Sequence, residues 1–131
     1  MIAVDSSALV AVVLGEPDAE SHLAALQASR AVVGAVTLVE ASIVVEARQG
    51  PDATRDLDLL VAGAIDEILP FDAAQARAAL EAWRRFGMGR HAAGLNFGDC
   101  LAYATAQLLG APLLCKGDGF PATDLPLAQV G

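Results

Sequence analysis

The chain has 131 residues, 55% of them hydrophobic and 18% charged, which excludes a disordered segment and fits one folded domain, residues 1–131. Sixteen acidic residues against eight basic ones give a formal charge of −8, which on its face opposes phosphate-backbone binding and suits a basic protein partner. The longest apolar run, Ala8 to Leu14, is far short of the ~20 residues of a membrane span, and no basic residue precedes it; neither a span nor a signal peptide is expected, and the location reads as cytoplasmic.

Ile2 to Val4 reads as a buried strand, and Ser6 to Leu14 as a helix stopped by Gly15-Glu16-Pro17. Asp18 to Ala28 is helical, with Ala19, Leu23 and Leu26 on one side, and Ala31 to Val33 is a second strand. Val36 to Arg48 is helical and ends at Gly50-Pro51; Asp52 to Ala64 follows with Leu57, Leu60 and Val61 inward. Glu67 to Pro70 reads as a strand. Asp72 then caps a helix to Phe86, and Gln75 three residues on gives a capping-box signature. Gly87 to Gly94 is a glycine-containing loop. Phe97 to Leu109 is a helix closed by Gly110, Leu113 to Cys115 is a strand, and the tail adds a last strand near Val130. Short apolar strands alternating with helices predict an α/β fold, a short central parallel sheet flanked by helices.

In such sheets ligands collect at the carboxyl ends of the strands, and Asp5 and Asp118 both fall just after one. Asp5 and Asp99 each also suit a helix start: Asp5 as N-cap before Ser6, Asp99 as partner of Asn96 in a capping box. Asp118, in Lys116-Gly117-Asp118-Gly119, suits a turn. Glu40 is different. Its neighbours at helical spacing are Val36, Thr37, Ile43 and Val44, so its carboxylate shares an apolar stripe, where an isolated charge is costly. A cation beside it removes that cost. Four gathered carboxylates therefore read as a site for Mg²⁺ or Mn²⁺, hard ions suited to oxygen donors and to phosphodiester cleavage. Ser6 and Thr37 are candidates to hydrogen-bond the carboxylates, or else to cap their own helices.

Cys100 and Cys115 sit in apolar sequence and read as thiols rather than a disulfide; neither forms a zinc spacing with His22 or His91. Arg84, Arg85, Arg90 and His91 cluster and read either as a solvated helix end or as a phosphate-binding patch, Arg90 and His91 becoming candidate RNA contacts only through the family resemblance that follows.

The stretches Met1-Ile2-Ala3-Val4-Asp5-Ser6-Ser7-Ala8-Leu9, Thr37-Leu38-Val39-Glu40-Ala41, Gly94-Leu95-Asn96-Phe97-Gly98-Asp99-Cys100-Leu101-Ala102-Tyr103-Ala104 and Leu113 to Phe120, continuing through Thr123-Asp124-Leu125, resemble PIN-domain ribonuclease toxins of the VapC type over essentially the whole chain. The stretch around Asp99 is the most specific. The resemblance implies a PIN-like α/β/α sandwich and a Mg²⁺- or Mn²⁺-dependent endoribonuclease cutting tRNA or ribosomal RNA. It implies a VapB-type antitoxin as partner and a homodimer assembling further with it. Asp5, Glu40 and Asp99 carry over directly, with Asp5, Asp99 and Asp118 as metal ligands and Glu40 positioning the attacking water. Asp118-Gly119 departs from the family's commoner acidic or polar pair, so either Asp118 or Asp124 fills the fourth position, and the number of ions stays open. The apolar faces of the helices from Ser6 to Ala28 suit a groove for an antitoxin helix. The rival readings are a PIN-like interaction module without turnover and a phosphotransfer receiver, although Ser7 stands where a receiver wants a second acid.

Overall fold

Two valine- and alanine-rich strands, a Leu-Leu pair and a partly exposed Glu-Ile-Leu edge strand build the sheet, each short and bounded by residues that start a helix or turn. The computed structural model describes residues 1–130. Its elements run β1 (Ile2–Val4), α1 (Ser6–Val13), α2 (Ala19–Ala28), β2 (Ala31–Gly34), α3 (Ala35–Gln49), α4 (Pro51–Ala64), β3 (Glu67–Leu69), α5 (Ala73–Phe86), α6 (Phe97–Leu109) and β4 (Leu113–Leu114), then a 3₁₀ turn at Phe120–Ala122. The sheet order is β3-β2-β1-β4, and every pairing is parallel.

Register decides which side chain enters which core. Ala3 pairs with Val32 and Leu113, while Val4 pairs with Val33 and Leu114. Successive residues of a strand point to opposite faces. Accordingly Ile2, Val4, Val33 and Leu114 join a core with α1 to α4, and Ala3 and Leu113 join a second core with α5 and α6. Fully burying a Val or Leu is worth about 1.5–3 kcal/mol, so this double cover is the main reason such short strands hold. Ala79 and Ala82 of α5 and Ala102 and Ala106 of α6 share the second core; their small side chains let the two helices come close.

The predicted architecture is observed, with four local differences. Among the described residues no strand forms near Val130: a single parallel bridge joins Leu127 to Leu113, held by Leu113 N to Pro126 O and Ala128 N to Leu113 O. Pro126 has no N–H to give, and β4 offers only two residues to extend upon. Cys115 lies just beyond β4. The capping box expected at Asp72 forms only half: Asp72 Oδ1 accepts from Gln75 N at 2.9 Å, but the Gln75 amide is buried against Thr105. On α2 the buried positions are His22 and Leu26, so a histidine joins the inward face. Both cysteines are free thiols, and no helix among the described residues is long and apolar enough to cross a membrane.

Candidate active site

β1 delivers Asp5 to the carboxyl edge of the sheet, between β2 and β4, where strand order reverses and crevices form. The residue leaves the strand in an extended conformation and caps α1. Its Oδ2 accepts from Ser7 N at 3.1 Å and from Ser7 Oγ at 2.5 Å. Ser7 Oγ in turn accepts from Lys116 N at 2.9 Å, joining the start of α1 to the loop after β4. Asp5 is only 3% exposed, and its Oδ1 is buried with no hydrogen-bond partner.

Asp99 is the third residue of α6 and completes the box foreseen with Asn96. Asp99 N donates to Asn96 Oδ1 at 2.8 Å, and Asn96 N donates to Asp99 Oδ2 at 3.0 Å. Asp5 is therefore an N-cap and Asp99 the acid of a capping box, and each uses only one carboxylate oxygen in that role. Glu40, on α3, is half-buried and also has a buried oxygen, Oε1, without a partner. It lies against Gly98, where a methyl group would overlap Oε2 and come 2.7 Å from Cδ and 2.8 Å from Oε1. Glycine at that position leaves room for the glutamate head.

The charges feel one another. Burial pushes the Asp5 carboxyl up from 3.8 to about 6; the bonds from Ser7 oppose the rise, and the charges of Asp99 and Glu40 add to it. Asp99 is raised as well, by burial against the opposing bond from Asn96. Burial pushes the Cys115 thiol to about 12, with Asp5 and Asp99 adding, so it is protonated and no nucleophile at neutral pH.

The remaining candidates fall outside this trio. Asp118 is exposed on its turn and is not among the charges that raise Asp5. Asp124 accepts from Tyr103 OH at 2.6 Å and pairs with Arg85 at 3.0 Å, which hold its carboxyl below the usual range. Ser6 makes no side-chain bond; its neighbour Ser7 does. Thr37 is buried in the first turn of α3, near Gly34. Arg90 lies with its guanidinium 4.7 Å from the Trp83 ring centre and donates to Arg84 O. His91 Nδ1 accepts from Ala93 N at 2.9 Å, and the ring meets Phe86 edge-on. Both help fold the loop between α5 and α6.

Sequence reasoning missed Ser7 and Gly98. A hydroxyl two residues after a predicted cap was the only available sign of the first, and the second stood in plain view between Phe97 and Asp99.

Among the described residues, no three acidic, imidazole or thiol groups stand close enough together to hold an ion as they are. Like charges ~4 Å apart repel by about 4 kcal/mol at an effective dielectric of 20, which favours keeping the carboxylates apart. The donor set nevertheless fits a hard divalent cation. Two buried carboxylate oxygens, Asp5 Oδ1 and Glu40 Oε1, have no proton donor to satisfy them, and Asp99 is the third charge acting at the same place.

This fold and pocket describe a PIN domain: the model of that family matches residues 2–125. The chain belongs to the PIN family and, within it, to the VapC ribonucleases. It is 44% identical over 123 residues to Ribonuclease VapC30 of Mycobacterium tuberculosis, covering 93% of this chain and 94% of that one. Two solved structures share the fold. Mycobacterium tuberculosis VapC20, described as a Sarcin-Ricin loop cleaving toxin, superposes with a TM-score of 0.78 at 16% identity, over 95% of this chain and 96% of that one. A toxin-antitoxin complex from Klebsiella pneumoniae gives 0.65 at 18% identity, over 98% and 100%.

Proposed function

We propose that this chain is the toxin of a type II toxin–antitoxin pair, an endoribonuclease that needs Mg²⁺ or Mn²⁺ and cuts a cellular tRNA or ribosomal RNA. The observation that carries the reading is the buried Asp5 carboxylate, with one oxygen unpartnered and two further acids acting upon it. Asp5 and Asp99 would hold the ion, with Asp118 brought in from its turn as a further ligand. When bound, such an ion supplies positive charge that activates water and offsets charge on the phosphoryl oxygens. Glu40 orients the attacking water and accepts its proton, a role that Gly98 permits by leaving the carboxylate unobstructed. The pairing of Asp124 with Tyr103 and Arg85 favours Asp118 for the fourth position.

A VapB-type antitoxin is the expected partner, supported by the toxin–antitoxin assembly of the structural relative from Klebsiella pneumoniae and by the acidic balance of this chain. Self-association into a homodimer belongs to the same reading. Exposed Phe71, Leu80, Trp83 and Met88 line an apolar groove of about 680 Å³ beside α5, the kind of surface a second copy covers.

The test is cleavage of RNA by antitoxin-free protein with Mn²⁺, with EDTA, and with Asp5→Asn or Asp99→Asn. Metal-dependent cutting lost in both variants is the expected result. Undiminished cutting by either variant would remove its metal-site assignment. The exposed Asp118 favours a second reading, a PIN-like interaction module without turnover, for which wild-type protein would leave RNA intact.

A further inference from the structure

The chain has a single lysine, and it stands at the edge of the acidic site. Lys116 follows β4 and Cys115, and its N–H donates to Ser7 Oγ, which in turn donates to Asp5 Oδ2. Its ammonium reaches the other way. Nζ donates to Asp18 Oδ1 at 3.1 Å and to the two oxygens of Glu16 at 3.4 and 3.5 Å, 98 and 100 positions back in the chain. One side chain thus ties the turn between α1 and α2 to the loop after β4.

Asp18 is committed to this tie. It stands at the N-cap of α2, where aspartate ordinarily bonds a backbone N–H, yet its side chain makes no such bond. Oδ1 goes to Lys116, and Oδ2 lies 3.2 Å from Nε2 of the buried His22. With both oxygens held, the carboxylate is a fixed post for the ammonium. The far end of the loop is seated as well: a methyl group at Gly119 would come 2.9 Å from Ala93 O. Between these supports Gly117 turns the chain at φ +102, where glycine is free to move, so the loop takes its place from its ends.

We propose that Lys116 is a positioning residue for the acidic site. Gripped by Asp18 and Glu16, it holds its own N–H on Ser7 Oγ. Ser7 then holds Asp5 by Oδ2 alone, leaving Oδ1 for a cation. This assignment rests on the metal-dependent ribonuclease reading and adds a remote support to it. The ion pair is partly solvated, and such pairs contribute little to stability, so what it supplies is placement.

The probe is Mn²⁺ alone, titrated calorimetrically into antitoxin-free protein. The sign of the effect separates placement from charge. A nearby cation repels an incoming ion, so loss of its charge alone would strengthen binding. Lys116→Met instead raises the Mn²⁺ concentration needed for half-saturation by about tenfold. Asp18→Ala does the same, and the two together cost no more than either alone. Lys116→Arg, which keeps a charged donor, stays near wild type. In EDTA the amide hydrogen of residue 116 exchanges about tenfold faster in Lys116→Met, while the melting temperature stays within about 4 °C of wild type. Unchanged or tighter Mn²⁺ binding by Lys116→Met overturns the proposal, as does a further loss on adding Asp18→Ala. So does an unaltered exchange rate. Wild-type protein that binds no Mn²⁺ would sink the ribonuclease reading and this support with it. Binding lost in Asp5→Asn but kept in Lys116→Met removes the support alone.

Discussion

Ser7 and Asp5 are locked together through one hydroxyl: Ser7 Oγ donates to Asp5 Oδ2 at 2.5 Å and accepts from Lys116 N at 2.9 Å. Since Ser7 N also donates to Oδ2, both bonds fall on one oxygen and leave Oδ1 free. Ser7 thus orients the carboxylate and fixes the loop that carries Asp118. Ser7→Ala is expected to lower stability by about 1–3 kcal/mol, through the Lys116 amide left unpaired. It should also raise the Mn²⁺ concentration needed for half-saturation by about tenfold, measured calorimetrically. Ser7→Thr keeps the hydroxyl and restores the metal requirement. A loss of stability with unchanged metal affinity would make Ser7 purely a fastening of the fold.

That link spans 109 positions, which explains why the spacing of residues did not announce it. What was legible was local. Asn96 and Asp99 stand three apart, so a capping box could be foreseen, and Asp5 directly follows a three-residue apolar strand. The same local rule overreached at Gln75, whose amide was drawn away by Thr105 on a different helix. Glu40 could be singled out by its apolar stripe, yet nothing in that stripe indicated that Gly98 would face it. The sequence pattern gathered four acids and the resemblance carried over three of them directly; burial and hydrogen bonding separate those inner three from the exposed Asp118.

Asp5 makes the metal-free protein sensitive to pH. Its carboxyl is raised from 3.8 to about 6, so the folded state holds that proton more tightly than the unfolded state. The contribution of this group to stability is complete below about pH 4, declines between pH 4 and 6, and is absent above, a difference of about 3 kcal/mol. Asp5→Asn, which still caps α1, should raise the melting temperature at pH 7 and flatten the profile between pH 4 and 6. Thermal unfolding in EDTA across that range is the measurement. A lower melting temperature at pH 7 would mean that Asp5 contributes chiefly as a cap.

Gly98→Ala places a methyl group against the carboxylate of Glu40, the movable end of a side chain rather than backbone. The glutamate swings aside and the fold persists. The expected outcome is a stability within about 0.5 kcal/mol of wild type, measured by thermal unfolding, and a kcat at least about tenfold lower, with Mn²⁺ affinity little changed. Wild-type turnover in this variant would show that the position of Glu40 does not matter to the reaction.

Asp118 and Asp124 are separable because only one has partners. Asp118→Ala should leave stability unchanged and reduce metal-dependent cutting. Asp124→Ala removes the bonds to Tyr103 and Arg85 and should cost about 1–2 kcal/mol, measured by denaturant unfolding, with cutting preserved. The reverse pattern would assign the fourth position to Asp124.

The helix cap at Asp5 also shapes how this protein can be disarmed by mutation. Asparagine starts a helix as well as aspartate does, and their codons differ by a single base. If Asp5 holds the ion as proposed, an inactive protein that still folds is one step away. It would keep its outer surface, and with it the capacity to occupy the same partner, now harmless.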